Sequence, residues 1–561
     1  MEKNNNKQSF LHGAALLAIA VAVVKVIGAL YKIPLKGIIG DQGYGYFTTA
    51  YDIYNVLLMI STAGLPIATS RLISEANSLG HYNQVRRIYK TSRTVFLGLG
   101  IFSTFVMVLG CHWLSTMMEQ PDAWAAILCL APCALFMGIM SPCRGFFQGQ
   151  GNMRPTSRSQ MLEAVIKLIV GLALALCVMK ITAKVHLAAA GAILGVTVSC
   201  AVSAAYLMTK LQKAYKVLPE SDEAPKSFGT TAKELLKVAV PITIGSAGLQ
   251  LLTVVETGLY MDRIVDLLDT NRYQGPLIDL LRQQVTDATP GLTAQQISSQ
   301  VAVNLKGIYN FAQTIFNMPC AFIIPIGTSV IPAITEYLTL RRDQQVRSTE
   351  ESAARITGLI SMPCAVGLVI LVEPVMALLG GYTGLKLTLA GQLMGLLGLS
   401  IFAYTIIQYT NAVLQSHGYA HVPVVNMLLC GIVKLIAVWF LAGNPNIGIL
   451  GVPMGTVLCY TSIALMNLLS IRRCVPQKPK LLQNMLRPFV PSVAMGAAVY
   501  GALWLLRDVI GITSRVILCG APVCVGVVVY LVMVIITRTI TREDCNLLPK
   551  GDKIAKILRL N

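Results

Sequence analysis

TVFLGLGIFSTFVMVLGCHW, residues 94–113, is a run of twenty positions without a carboxylate, lysine or arginine. An α-helix rises about 1.5 Å per residue, so twenty residues cover the roughly 30 Å of a bilayer's hydrocarbon core. Runs of this kind recur to either side. They place transmembrane helices at about 11–31, 46–69, 94–113, 123–143, 160–179, 185–208, 238–260, 308–332, 356–379, 386–410, 422–442, 449–470, 488–506 and 515–537. The expected fold is an all-α integral membrane protein of about fourteen transmembrane helices.

Composition agrees. Hydrophobic residues make up 55% of the 561 residues, charged residues 13%, and the mean hydropathy is +0.64. A soluble globular chain carries about 25% charged residues, so no large water-soluble domain is expected. The net charge of +19 would point to nucleic acid in a soluble protein. Here no aromatic-basic motif accompanies it, and the loops of a membrane protein collect Lys and Arg on the cytoplasmic side. No nucleic-acid partner is expected.

The charge distribution orients the chain. With the N-terminus inside, 31 of the 45 Lys and Arg fall in cytoplasmic segments and 11 in external ones. The other three, Lys25, Lys167 and Lys434, fall inside helices. This excess puts both termini in the cytoplasm. Lys3 and Lys7 precede an apolar stretch that runs through Lys25 to Tyr31-Lys32-Ile33-Pro34 with no cleavage site, so it reads as a retained first helix.

The chain also repeats. Ile53-Tyr54-Asn55 recurs as Ile308-Tyr309-Asn310, and Pro66-Ile67-Ala68-Thr69-Ser70 as Pro325-Ile326-Gly327-Thr328-Ser329. Gln84-Val85-Arg86 recurs as Gln345-Val346-Arg347, and Lys167-Leu168-Ile169 as Lys434-Leu435-Ile436. Gln148 and Gly151 match Gln415 and Gly418, and Ile193-Leu194-Gly195-Val196 matches Ile449-Leu450-Gly451-Val452. The order is kept, with separations between 255 and 267 residues. The second copy starts six helices after the first. An even number preserves orientation, so the repeats are parallel and their axis runs along the membrane normal. This predicts an N-lobe over 1–236, a C-lobe over 237–475 with an external insert at about 261–307, and two further helices with a cytoplasmic tail over 476–561. Within the insert, Leu277, Leu280, Leu281 and Val285 have helical spacing among charged residues. They read as an amphipathic helix on the outer membrane surface, or as a solvated linker between lobes.

Motifs for soluble chemistry are missing from the sequence. There is no P-loop, no Ser/His/Asp set and no HExxH. The fourteen cysteines lie mostly in apolar spans, as do Cys129, Cys133, Cys200 and Cys459, and read as small buried hydrophobes rather than metal ligands. A transporter is expected, with no catalytic residue, metal or cofactor; Na⁺ or H⁺ coupling is left open. The candidates for function are ionisable residues inside helices, each costing roughly 2.5–3.5 kcal/mol to insert. Lys25, deep in helix 1, is either the wall of a cationic cleft for an anionic substrate or one half of an ion pair with Glu256. Lys32 either joins that cleft or snorkels to the interface from the outer end of helix 1. Lys167 and Lys434 hold equivalent places in the repeats and serve transport or a structural pair, for Lys167 with Glu163 one turn earlier. Arg71 caps helix 2 or closes the cytoplasmic mouth. Asp52, Glu256 and Glu373 are candidates for ion coupling.

Several stretches carry a family resemblance. Phe10-Leu11-His12-Gly13-Ala14, Lys25 through Leu35, and Gly40-Asp41-Gln42-Gly43-Tyr44-Gly45 resemble the opening of the stage V sporulation protein B group. So do Ala50-Tyr51-Asp52-Ile53-Tyr54, Ser61 through Pro66 and Ser70-Arg71-Leu72-Ile73-Ser74-Glu75, and the tail from Arg542 to Gly551 resembles its ending. That group includes MurJ-like lipid II flippases and belongs to the multidrug/oligosaccharidyl-lipid/polysaccharide (MOP) exporter superfamily. The resemblance implies two lobes, alternating access, a cationic central cavity with a lateral opening near helices 1 and 8, and important basic residues on helix 1. It also implies an undecaprenyl-diphosphate-linked wall precursor as substrate, in a phospholipid bilayer and in company with cell-wall synthesis proteins. Two positions depart from the group's pattern: Lys32 stands where Arg is usual, and Asp52 where Pro is common. A multidrug antiporter of the same fold, or a flippase for another lipid-linked oligosaccharide, is the alternative. The intramembrane lysines argue against a carrier of cations.

Overall fold

The computed structural model describes residues 23–24, 27–28, 30–53, 64–219, 221–419 and 421–540. Every regular element among them is helical. Ten helices there are long and apolar enough to cross a membrane. They lie on ten of the expected spans, from Tyr82–Met117 to Arg515–Ile536. Phe228–Asp269 and Ala294–Thr339 are longer helices that contain the expected spans 238–260 and 308–332. Tyr82–Met117 shows why such helices need lipid: Phe102, Phe105, Leu109 and Trp113 are each more than half exposed. So large an apolar surface is a liability in water and is satisfied by acyl chains.

Packing divides the chain into two compact units, residues 1–271 with 281–310, and 272–280 with 311–561. In the first, Val185–Lys216 packs on Arg154–Thr182 and on Trp124–Gly149, which in turn packs on Tyr82–Met117 and Gly64–Ser78. Ala188, Ala189, Gly191, Ala192 and Gly195 are buried on Val185–Lys216. Small residues let helix backbones approach closely where the surrounding lipid offers no hydrophobic driving force. Phe228–Asp269 opens the second sequence repeat, yet it packs in this unit against Gly64–Ser78 and Tyr82–Met117.

In the second unit, Gly384–Ser416 packs on Asp343–Ile370 and on Gly451–Cys474, and His421–Ala442 packs on Gly451–Cys474. Three of the first unit's pairings recur here, between helices at matching places in the repeat. Phe489–Trp504 and Arg515–Ile536 pack on each other and on Asp343–Ile370. The repeated Gln-Val-Arg motif has a matching task in each unit. In the first, Gln84 accepts from the Lys226 amide at 2.8 Å and Arg86 donates to Leu218 O at 2.8 Å. In the second, Arg347 donates to Glu351, which also accepts from the Lys480 amide at 3.1 Å. Each motif thus ties down the loop that follows the last helix of its repeat.

Two expectations are corrected. The loop expected over 32–45 is absent: residues 30–53 are helical, turning at Gly40, whose φ of +66° lies in the left-handed region that glycine enters without strain. The insert is mostly helix extension. Between Phe228–Asp269 and Ala294–Thr339 lies only the short helix Pro276–Ala288, whose Ile278, Leu281 and Val285 are buried in protein rather than facing lipid. From it Arg282 donates to Leu268 O and Asn271 Oδ1, both at 2.8 Å, which caps the end of Phe228–Asp269.

Candidate functional site

The helical stretch 30–53 presents Gly45, Thr48, Thr49 and Asp52 at i, i+3, i+4 and i+7, which is one helix face. The helix Ala294–Thr339 answers with Val303, Lys306, Gly307 and Asn310 at the same spacing. Two glycines bring the faces together. A Cβ on Gly45 would sit 2.8 Å from Val303 Cγ1, and one on Gly307 would collide with the Asp41 backbone carbonyl.

Polar side chains then interlock across the contact. Lys306 is fully buried and donates from Nζ to Thr49 Oγ1. The Thr49 hydroxyl reaches Gln120 Oε1 at 2.7 Å. Asn310 donates to Thr48 Oγ1 at 2.6 Å. Thr48 and Thr49 also lie 3.0 Å from the Gly45 carbonyl one turn back, which helps fix their rotamers. Beside this lattice lies a set of charges. Asp52, partly buried, is within electrostatic range of Lys306, Lys32 and Glu256. Lys32 is within range of Lys167. Three ammonium groups thus meet two carboxylates. Lys36 and Asp41 form a separate buried pair at 3.4 Å across the Gly40 turn.

Of the residues singled out in the sequence, Lys32, Asp52, Glu256 and Lys167 therefore come together. Glu256 is 8% exposed on Phe228–Asp269. Lys32 is partly buried and not at a helix end, because its helix continues to the Gly40 turn. Lys167 does not pair with Glu163, which binds Arg144 at 3.1 Å. Its Nζ lies 5.9 Å from the centroid of the Tyr31 ring, whose hydroxyl donates to Ala192 O at 3.1 Å. Arg71 is exposed on Gly64–Ser78, and Lys434 is partly buried on His421–Ala442 in the second unit. Glu373 pairs with Arg507 at 3.1 Å on an exposed surface of that unit. Lys25 lies outside the described residues.

Sequence reasoning passed over Lys306, which hydropathy put in an external loop two residues before a span. The helical spacing of Val303, Lys306, Gly307 and Asn310 was the signal that could have found it. Chemically, the site is a polar helix crossing inside an apolar unit, with Lys306 held by Thr49 and with Asp52 within electrostatic range of Lys306 and Lys32.

Comparison with known proteins gives this geometry a family. A profile described as "Polysaccharide biosynthesis protein" matches residues 10–338, and one described as "Lipid II flippase MurJ" matches residues 277–517. Stage V sporulation protein B of Bacillus subtilis (strain 168) is 24% identical, the match covering 97% of this chain and 98% of that protein. Among solved structures, the inward closed conformation of the lipid II flippase MurJ aligns with a TM-score of 0.64 at 13% identity, over 93% of this chain and 99% of that one. An inward-facing multidrug resistance MATE family transporter of the MOP superfamily aligns with a TM-score of 0.63 at 14% identity, over 83% of this chain and 99% of that one. The fold is therefore that of MOP-superfamily membrane transporters, and, with a profile match over more than half its length, the chain belongs to the polysaccharide biosynthesis protein family.

Proposed function

We propose that this transporter flips an undecaprenyl-diphosphate-linked peptidoglycan precursor, lipid II, from the inner to the outer leaflet by alternating access. The observation that carries the reading is the cluster of Lys306, Lys32 and Lys167 around Asp52 and Glu256, in which cations outnumber carboxylates. The substrate's polyprenyl tail stays in lipid while its diphosphate and sugars cross a wet cleft. Lys32, Lys306 and, from sequence, Lys25 offset the diphosphate charge. As ammonium groups they act as point charges rather than as bidentate forks. Arg71 serves the cytoplasmic mouth, and Lys434 gives the second repeat the cation that Lys167 gives the first.

Asp52 lies within electrostatic range of Lys32 and Lys306, and the diphosphate competes with it for their charge. With the cell interior negative, outward movement of each negative charge is favoured by about 2.3 kcal/mol per 100 mV. Protonation of Asp52, or Na⁺ bound by Asp52 and Glu256, would release the lysines to the substrate, which is how an ion would couple. The relatives' descriptions, lipid II flippase MurJ and stage V sporulation protein B, support this substrate class.

Complementation tests the reading. In a strain depleted of its lipid II flippase, this chain restores growth and lipid II appears in the outer leaflet. A stably inserted protein that restores neither rejects lipid II as substrate. The match to a MATE transporter favours a second reading, cation-coupled multidrug export. Ethidium efflux by cells expressing the chain, without lipid II flipping, would establish that one instead.

A further inference from the structure

Apart from the charged cluster, the first unit holds a cavity of about 870 Å³ between the helices Tyr82–Met117, Trp124–Gly149 and Val185–Lys216. Its lining has three cations, Lys90, Arg93 and Lys216, and no carboxylate. Tyr89 and Tyr215 also line it, with ring centroids 5.9 Å apart. Arg93 lies one helical turn after Tyr89 on Tyr82–Met117. The rest of the wall is apolar and includes Leu97, Ile139 and Met208.

The apolar wall continues beyond the cavity. Leu97, Ile101 and Phe105 follow one another at four-residue spacing on a single face of Tyr82–Met117, and Ile101 and Phe105 are 55% and 61% exposed. From Arg93 to Phe105 the helix rises about 18 Å, close to the roughly 15 Å of one leaflet's hydrocarbon. A soluble anion would use the cations alone, and an apolar solute the wall alone. An amphiphile with a charged head uses both. The loops at this end carry the excess of Lys and Arg, the side where anionic lipids attract basic pockets.

We propose that this cavity binds the phosphate headgroup of an anionic membrane lipid of the cytoplasmic leaflet, with an acyl chain laid along Leu97, Ile101 and Phe105. The site is separate from the transport cluster and depends on no particular transport substrate.

Native mass spectrometry of the purified full-length protein tests it, with phosphatidylglycerol, phosphatidylcholine, undecaprenyl diphosphate and inorganic phosphate as probes. Phosphatidylglycerol is retained in preference to phosphatidylcholine, and the Arg93→Ala/Lys216→Ala variant loses that preference roughly 30-fold. Lys216→Gln, at an exposed position, gives a smaller loss in the same direction and serves if the double variant expresses poorly. Three results would overturn the proposal: equal retention of both phospholipids, unchanged preference in both variants, or displacement of the lipid by millimolar inorganic phosphate. Preferential retention of undecaprenyl diphosphate would overturn it too, by giving the cavity to a polyprenyl substrate.

Discussion

Replacing Lys306 by methionine keeps the length of a fully buried side chain and removes its charge. Two groups lose a partner: Thr49 Oγ1 loses its donor, and Asp52 loses one of its two nearby lysines. Taking a partner from a buried hydrogen-bonded group costs about 1–3 kcal/mol. Asp52 is partly buried and keeps Lys32 nearby, so its loss of Lys306 adds little, and about 2 kcal/mol is expected. Large domains shift by roughly 2 °C per kcal/mol, which predicts a fall in Tm of about 4 °C. The native thiols supply the assay. Cys133, Cys143 and Cys200 are buried in the first unit and become reactive to a thiol-specific dye on unfolding. Adding Asp52→Asn to Lys306→Met neutralises both charges and recovers about 1 kcal/mol, within the range of about 0.5–3 kcal/mol for residues in one network. The double variant therefore melts about 2 °C above Lys306→Met. A single variant within 1 °C of wild type, or a double variant no better than the single, would refute the coupling of Lys306 to Asp52.

Three further outcomes are expected. Gly307→Ala drives a methyl group into the Asp41 carbonyl and lowers stability by at least the roughly 1–3 kcal/mol of core overpacking, whereas Gly229→Ala, with open space around it, is close to neutral; equal melting of the two would contradict the tight crossing. In a Cys-less background, cysteines placed near 220, 345 and 480 react only from the cytoplasm and one near 285 only from outside, and external labelling near 220 would reverse the proposed orientation. Lys25→Ala inserts normally but fails to complement, and Lys25→Arg retains partial activity because charge survives while geometry changes; normal flipping by a stably expressed Lys25→Ala protein would remove Lys25 from the substrate path.

The membrane spans were legible in the sequence because a bilayer imposes a local rule. About twenty apolar residues must follow one another whatever the rest of the chain does, so TVFLGLGIFSTFVMVLGCHW needs no tertiary context to be read. The repeat was legible for a similar reason: Gln84-Val85-Arg86 and Gln345-Val346-Arg347 keep their spacing within the chain, and each ties down the loop of its own unit. Ionisable residues inside apolar spans stood out by cost alone, which is how Asp52, Glu256 and Lys167 were found. Partnership was not legible, because it depends on which helices cross and where. Glu163 lies one turn from Lys167, yet Arg144 of the neighbouring helix claims it, leaving Lys167 over Tyr31. The Gly40 turn replaced a loop because one residue with positive φ is enough to reverse a helix, and hydropathy does not register it. Lys306 was hidden because averaging hydropathy over a window places a span's edge at its last charge. Only the close approach at Gly45 and Gly307 shows that this charge is buried against Thr49 and within reach of Asp52, more than 250 residues away in the chain.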